Sequence, residues 1–459
     1  AELKKNKPVE VTIDGIHDGY HKRIFVENNF NGAKISEYFS QLGPVGNDIV
    51  EAFILAVIVI VVAVPEGLPM MISFQRIVAG ISLQAYLAIP FFIFAGDLMF
   101  HGGIAARLVR FAQAAVGAVR GGLGIVNVFS SMLFGGISGS AIADISALGS
   151  ILIPAMKEKG YDADYAVNVT VTSSIAGIII PPSHNMIIFA LAAGGGVSIS
   201  KLFLAGVVPG ILMCVCLALA AYLVAIKRGY KAEKFPGFAA LGYAFAGAIP
   251  GLFTAVIIVG GVLSGIFTAT ESGAIGAIYA FLVTLIVYRT LTWGNFKTTV
   301  VSSVRTTSMV LVLIACAGAF AYMLTFYRVP TKTVDLLLGI SDNVILILLM
   351  INLMLLVLGM IMDMAALILI CTPIFLPVMN ALGIDPVQFG IILLVNLGLG
   401  LCTPPVGTCL FAGCVVGKLP MEKAIKTIWP FYLAILAALM LITFVPAISL
   451  TLPNLIIGK

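Results

Sequence analysis

After residue 49 the chain alternates long apolar runs with short polar joints. Runs at 203–226, 240–263, 268–288, 306–326, 344–362 and 431–450 each approach the roughly 20 residues that a helix needs to cross a bilayer. With the less regular stretches between them, the pattern predicts about 10–12 membrane segments, some of them interrupted. Residues 1–48 are polar, carry several lysines and lack the short apolar core of a signal peptide, so they are expected in water. The segment 49–74, IVEAFILAVIVIVVAVPEGLPMMISF, then turns abruptly apolar and reads as an atypical first membrane helix. The expected fold class is an all-α integral membrane protein, with one large membrane domain over 75–459.

Within this apolar region a single pattern occurs twice. Residues 154–182 read PAMKEKGYDADYAVNVTVTSSIAGIIIPP and residues 377–405 read PVMNALGIDPVQFGIILLVNLGLGLCTPP. Pro154, Met156, Gly160, Asp162, Gly177 and Pro181-Pro182 match Pro377, Met379, Gly383, Asp385, Gly400 and Pro404-Pro405 without a gap, at an offset of 223 (377 − 154). The repeat halves are about 75–228 and 300–459. Paired hydrophobic segments broken by Gly and Pro in corresponding places are a pointer to a secondary transporter's binding site.

Each half also carries a polar break. In the first, Gly135-Gly136-Ile137-Ser138-Gly139-Ser140 precedes Asp144, and SSIAGIIIPP leads into Ser183, His184 and Asn185. In the second, Gly359, Asp363 and Thr372-Pro373 form one break, and Gly398, Gly400, Thr403, Pro404, Pro405 and Gly407 form the other. Unwound carbonyls suit a hard cation such as Na⁺, and a half-helix start suits an anion. The blander readings are close helix packing by Gly and Ser, an i−4 hydrogen bond for the Thr403 hydroxyl, and a salt-bridged Asp144. Asp363 lies 14 residues before Pro377, whereas Asp144 lies 10 before Pro154, so the repeat register is not expected to be strict there.

Composition narrows the class further. The chain is 60% hydrophobic and only 10% charged, against about 25% charged in a soluble domain. The net charge of +5 is small and calls for no nucleic acid. Basic residues sit between the apolar runs, spread too evenly to fix orientation from the sequence. The seven cysteines lie in apolar segments without metal-ligand spacing to the four histidines, and read as free thiols.

Two resemblances follow from longer motifs. VAVPEGLP, around Glu66, resembles the broken fourth membrane helix of P-type calcium pumps, whose glutamate there binds the cation. The pump's Asp-Lys-Thr-Gly motif is absent from the whole chain, so a cation pump is rejected for the protein; Glu66 then reads as a helix-end residue. The second resemblance covers 75–459. AIPFFIFAGDLM, GGISGSAIADISALGSILIPAM, GIIIPPS, VSISKLFLAGVVPG, GIFTATESGAIGAIYA, DMAALILICTPIFLPV and LCTPPVGTCLF stand in the order of the large membrane subunit of tripartite ATP-independent periplasmic (TRAP) transporters, which the chain resembles.

That resemblance implies an inverted repeat, two re-entrant hairpins near 125–160 and 360–382, and two broken helices moving as an elevator against a scaffold. It implies a non-enzyme: a Na⁺-coupled importer of a small organic anion, a C4-dicarboxylate or sialic-acid-like carboxylate, in the bacterial inner membrane. The implied partners are a small four-helix membrane subunit, expected as a separate chain, and a periplasmic substrate-binding protein. One Na⁺ site would use Ser138, Gly177, Ile180 and Pro181, largely through backbone oxygens; the other would use Gly359, Gly400 and Thr403. Ala141 follows GISGS where some relatives have a serine. Substrate would lie near Ser140, Asp144, Ser183, Asn185 and Asp363. The alternatives are a binding-protein-independent Na⁺/dicarboxylate symporter, which would transport alone, and a channel.

Overall fold

The computed structural model describes residues 9–11, 24–26, 75 and 84–458 apart from residue 342. The chain forms two compact units, Ala1–Val59 and Ile60–Lys459. In the first, β1 (Val9–Val11) pairs antiparallel with β2 (Ile24–Val26), a small addition to the expected all-α class. Glu66 and the rest of the segment 49–74 lie outside the described residues.

The second unit is helical. After a 3₁₀ turn (Gln84–Leu87) come α1 (Ala88–His101), α2 (Ile104–Val116) and α3 (Gly122–Ser138). The chain then reverses into α4 (Ala141–Asp144), a π-helical turn (Ile145–Gly149) and α5 (Ser150–Glu158). Next are α6 (Ala163–Ser173), α7 (Ala176–Ile179), α8 (His184–Ala192) and the long α9 (Ile199–Lys227). The middle holds α10 (Phe238–Leu263), α11 (Ala269–Leu282), α12 (Trp293–Phe326) and α13 (Val329–Ile340). The second half repeats the plan with α14 (Val344–Gly359), α15 (Met364–Ala381), α16 (Pro386–Leu401) and α17 (Thr408–Gly417). It closes with α18 (Met421–Thr427), α19 (Trp429–Phe444) and α20 (Pro446–Ile456).

Five helices are long and apolar enough to cross a membrane, or up to eight if each of three bent pairs counts once. This is fewer than the expected 10–12 among the described residues, because the breaks cut several apolar runs into pieces shorter than a bilayer. The run 344–362, expected to span, is instead the first arm of a hairpin: α14 stops at Gly359 and α15 returns, so the second hairpin spans Val344–Ala381 rather than 360–382. The first hairpin, Gly122–Glu158, matches its expected place. Its ends are tied to one loop, Arg120 through a β-bridge to Ala232 and Lys159 through an ion pair to Glu233.

The register of the repeat is strict where the sequence suggested it was not. The returning arms start at Ala141 and Met364 and end at Glu158 and Ala381, and the broken helices start at Ala163 and Pro386, all 223 apart (364 − 141, 381 − 158, 386 − 163). Gly160 and Gly383 both take positive φ, 81° and 74°, in the turn between them, a conformation that disfavours other residues. The partner of Asp363 is therefore Ser140, not Asp144: each is the N-cap of a returning arm. Sequence comparison paired the two acids by chemical type, whereas the fold pairs the two caps.

The broken helices cross where equivalents meet. A Cβ on Gly398 would lie 2.8 Å from Cγ2 of Ile175, and 175 and 398 are matched positions of the repeat. A two-fold relation between the halves places equivalents against each other in this way. Reciprocal contacts surround this point: α3 packs on α7 as α14 packs on α16, and α8 packs on α15 as α17 packs on the π turn and α5.

At one end of the bundle α9 clamps the first junction. Arg228 donates to Asp164 (2.8 and 2.7 Å) and to Asp162 (2.9 Å), and the Tyr230 hydroxyl donates to Asp162 (2.6 Å). Burial, and next the Asp162 carboxylate, push the Tyr230 hydroxyl up to about 12. At the other end Asp385 and Lys201 line one cavity. Gly398→Leu is expected to lower stability by about 1–3 kcal/mol through overpacking against Ile175; a melting curve in detergent checks it, and a wild-type midpoint would remove this crossing from the core.

Candidate functional site

Four helix starts close into a ring. Gly139 ends α3, and Ser140 caps α4 by accepting from the Ala143 N–H (3.4 Å). Asn185, on the first turn of α8, donates to the Gly139 carbonyl (3.1 Å), joining α8 to the first hairpin's turn. α8 packs along α15, whose cap, Asp363, accepts from the Ala365 N–H (3.0 Å). The Val406 N–H donates to the Met360 carbonyl (3.2 Å), joining the approach to α17 to the second hairpin's turn. α17 then runs beside the first returning arm: Gly149 lies against Val416, each eight residues past its helix start (149 − 141, 416 − 408).

The opposite termini face these starts. The first broken helix stops at Ile179 and resumes at His184, and the second stops at Leu401 and resumes at Thr408. Both Pro-Pro bonds in the gaps, Pro181-Pro182 and Pro404-Pro405, are cis. Each gap is reached by a hairpin arm at a glycine-on-glycine contact. A Cβ on Gly135 would lie 2.4 Å from Gly177 Cα, and one on Gly400 would lie 2.6 Å from the Gly359 carbonyl carbon. A Cβ on Gly136 would stand 2.9 Å from the Pro181 oxygen. The result brings helix starts close to the helix ends that border the gaps, an arrangement that suits an anion beside cations.

Residues 45–448 match the family model of the tripartite ATP-independent periplasmic transporter, DctM component. The chain belongs to this family. It is 41% identical to the uncharacterised protein YgiK of Salmonella typhimurium over 86% of this chain and 91% of the relative. It is 37% identical to the C4-dicarboxylate TRAP transporter large permease DctM of Rhodobacter capsulatus over 83% and 89% of the two chains. It is 38% identical to the sialic acid TRAP transporter large permease SiaM of Vibrio cholerae over 84% and 90%. Among solved structures, the YdaH transporter of Alcanivorax borkumensis shares the fold, with a TM-score of 0.59, 13% identity, and 95% and 92% of the two chains covered.

The protein is thus a TRAP large permease, a multi-pass membrane transporter component and not an enzyme. TRAP large permeases work with a small membrane subunit and a periplasmic binding protein. The matched span begins at residue 45, ahead of the resemblance read over 75–459, and so takes in the VAVPEGLP segment.

The expected site residues divide into groups. Gly177, Ile180 and Pro181 stand against the last turn of α3, which ends at Ser138. Gly359 and Gly400 touch, and Thr403 lies in the adjoining gap. The Thr403 hydroxyl donates to the Leu399 carbonyl (2.7 Å), the i−4 bond of its blander reading. Ser140, Ser183 and Asn185 gather at the first hairpin's turn, and Asp363 is exposed on the second. The Ser183 hydroxyl is buried with no partner. Asp144 stands apart: it is fully buried deeper on α4, with Oδ2 2.7 Å from the Ser131 hydroxyl of α3.

Sequence reasoning missed a set of buried polar pins. Ser173 donates to Asn127 of α3 (3.1 Å), and Asn396 donates to Asn352 of α14 (2.8 Å). Ser173 and Asn396 are equivalents of the repeat (396 − 173 = 223), so each half pins its hairpin to its broken helix within two turns of the gap. The usable signal was a lone polar residue inside an apolar run, which in a membrane is functional or bonded. Gly135→Leu and Gly400→Leu should each abolish uptake, because the atoms in the way are backbone. Wild-type uptake in either variant would show that the close approach is dispensable.

Proposed function

We propose that this permease imports a small organic anion together with Na⁺, moving its hairpins and broken helices as an elevator. The observation that carries the reading is the closed ring of four helix starts against two glycine-bounded gaps. Helix starts attract a carboxylate, and the helix-end carbonyls attract a hard cation. Ser140, Ser183, Asn185 and Asp363 would meet the substrate, with Asp144 behind them. Ser138, Gly177, Ile180 and Pro181 would hold one Na⁺, and Gly359, Gly400 and Thr403 the other. The substrate class is a carboxylate of the C4-dicarboxylate or sialic-acid kind, the cargo named for two relatives.

A periplasmic binding protein would deliver the substrate, and a separate small membrane subunit would brace the scaffold. The bacterial inner membrane is the proposed location. Charge supports an orientation once the loops are sorted by end. Arg120, Lys159 and Arg228 cluster at the Asp162 end, with Lys423 and Lys426 in the cavity beside Asp162. The cavity at the Asp385 end has Lys201 alone as a basic group. Positive loops favour the cytoplasmic side, so the Asp162 end would face the cytoplasm and the two halves would lie inverted.

Proteoliposomes holding the permease and its small subunit, supplied with the binding protein, should take up labelled substrate only under an inward Na⁺ gradient. Uptake that ignores Na⁺ would sink the coupling, and uptake without the binding protein would favour a stand-alone symporter. Thr403→Ala should raise the Na⁺ concentration for half-maximal uptake on the order of tenfold, the equivalent of about 1.4 kcal/mol for one lost oxygen ligand. Ser138→Ala is the matching test in the first half, and an unchanged Na⁺ dependence removes the residue from its site.

A further inference from the structure

We propose that Asp144 is a proton-binding site inside the first hairpin, read out by the direction of a hydrogen-bond chain running through Ser131, Ser173, Asn127 and Thr170. The chain joins α3, α4 and α6. Its distances are 2.7 Å from Asp144 Oδ2 to Ser131, 3.1 Å from Ser131 to Ser173, 3.1 Å from Ser173 to Asn127 Oδ1 and 2.6 Å from Asn127 Nδ2 to Thr170. All five side chains are fully buried.

Proton counting gives the chain two directions. Thr170 donates to the Ala166 carbonyl (2.8 Å), so its hydroxyl oxygen accepts from the Asn127 amide nitrogen. The amide oxygen then faces Ser173, and an amide oxygen only accepts. The single hydroxyl proton of Ser173 is thereby used; its second acceptor within reach, the Thr170 carbonyl at 3.2 Å, competes for that same proton. Ser131 must give its own proton to Ser173. Nothing is left to donate across the 2.7 Å contact to Asp144 unless the carboxyl itself carries the proton. Turning the Asn127 amide over reverses every link: Thr170 donates to the amide, and Ser131 donates to an ionised Asp144.

The surroundings choose between the two. An ionised Asp144 would be fully buried with one donor, and its other oxygen, Oδ1, has no partner. Buried charges are paired or bound to cations. Among the described residues no cationic side chain faces this one: α3, α7 and the π turn have no ionisable residue, and α17 has Cys409 and Cys414. α6 carries Asp164 and Tyr165 only at its far end, and α9 presents the Cys214 thiol. Sodium is a poor fit, since hard cations gather about six oxygens and Oδ1 is the one unpartnered oxygen in this chain of bonds. A proton needs one. The neutral acid keeps every link, and leaves the hairpin without a bare charge among apolar neighbours.

The test is infrared difference spectroscopy on the purified permease with its small subunit at neutral pH. The wild type should show the carbonyl stretch of a protonated carboxyl, absent in Asp144→Asn, whose amide donates to Ser131 as the acid does. The Asn variant should also melt within a few degrees of wild type. Identical spectra would overturn the proposal. Should Asp144→Asn fail to fold, Ser131→Ala decides: the band shifts when the acceptor is lost, and an unmoved or missing band overturns the assignment. None of these readouts uses transport, so they stand or fall apart from Na⁺ coupling.

Discussion

The constraint on which the rest depends is that a helix stopped inside a membrane leaves backbone groups that lipid cannot satisfy. This chain stops helices twice in each half, at a hairpin turn and at a Pro-Pro gap. It satisfies the exposed groups by bringing the stops together. That demands backbone against backbone, and only glycine allows it. Gly135 meets Gly177, and Gly359 meets Gly400. The ring of helix starts follows from the same requirement, since each turn finds its hydrogen-bond partner on the next element.

The two halves meet this constraint with different side chains. The caps are a serine and an aspartate, and the pins within two turns of the gaps are a serine and an asparagine. A repeated backbone therefore encloses a candidate site whose side-chain chemistry is not repeated. The polar pins also fix each hairpin to its own broken helix, so each pair is packed as one piece.

Much of this was legible in the sequence, for physical reasons. Gly and Pro are strong punctuation, so the repeat, the gaps and both glycine sets could be read directly. The all-helical membrane class followed from composition. What could not be read was direction. The apolar run 344–362 looks like a span, and only the reversal after Gly359 shows that it is one arm of a hairpin. The pairing of Ser140 with Asp363 was hidden because capping is a property of place, not of charge. The depth of Asp144 was hidden because its bond to Ser131 crosses between helices.

The crossing of the broken helices carries a consequence for how far the halves may resemble each other. Ile175 and Gly398 occupy matched positions and press on one another at the axis. Two isoleucines there would collide, and two glycines would leave a void. The one large, one small arrangement divides a single side chain's volume between two copies of one position. A perfectly duplicated sequence could not close at this point. Divergence at the axis is thus a geometric necessity, and a change at either residue is best tolerated when the other changes in the opposite sense.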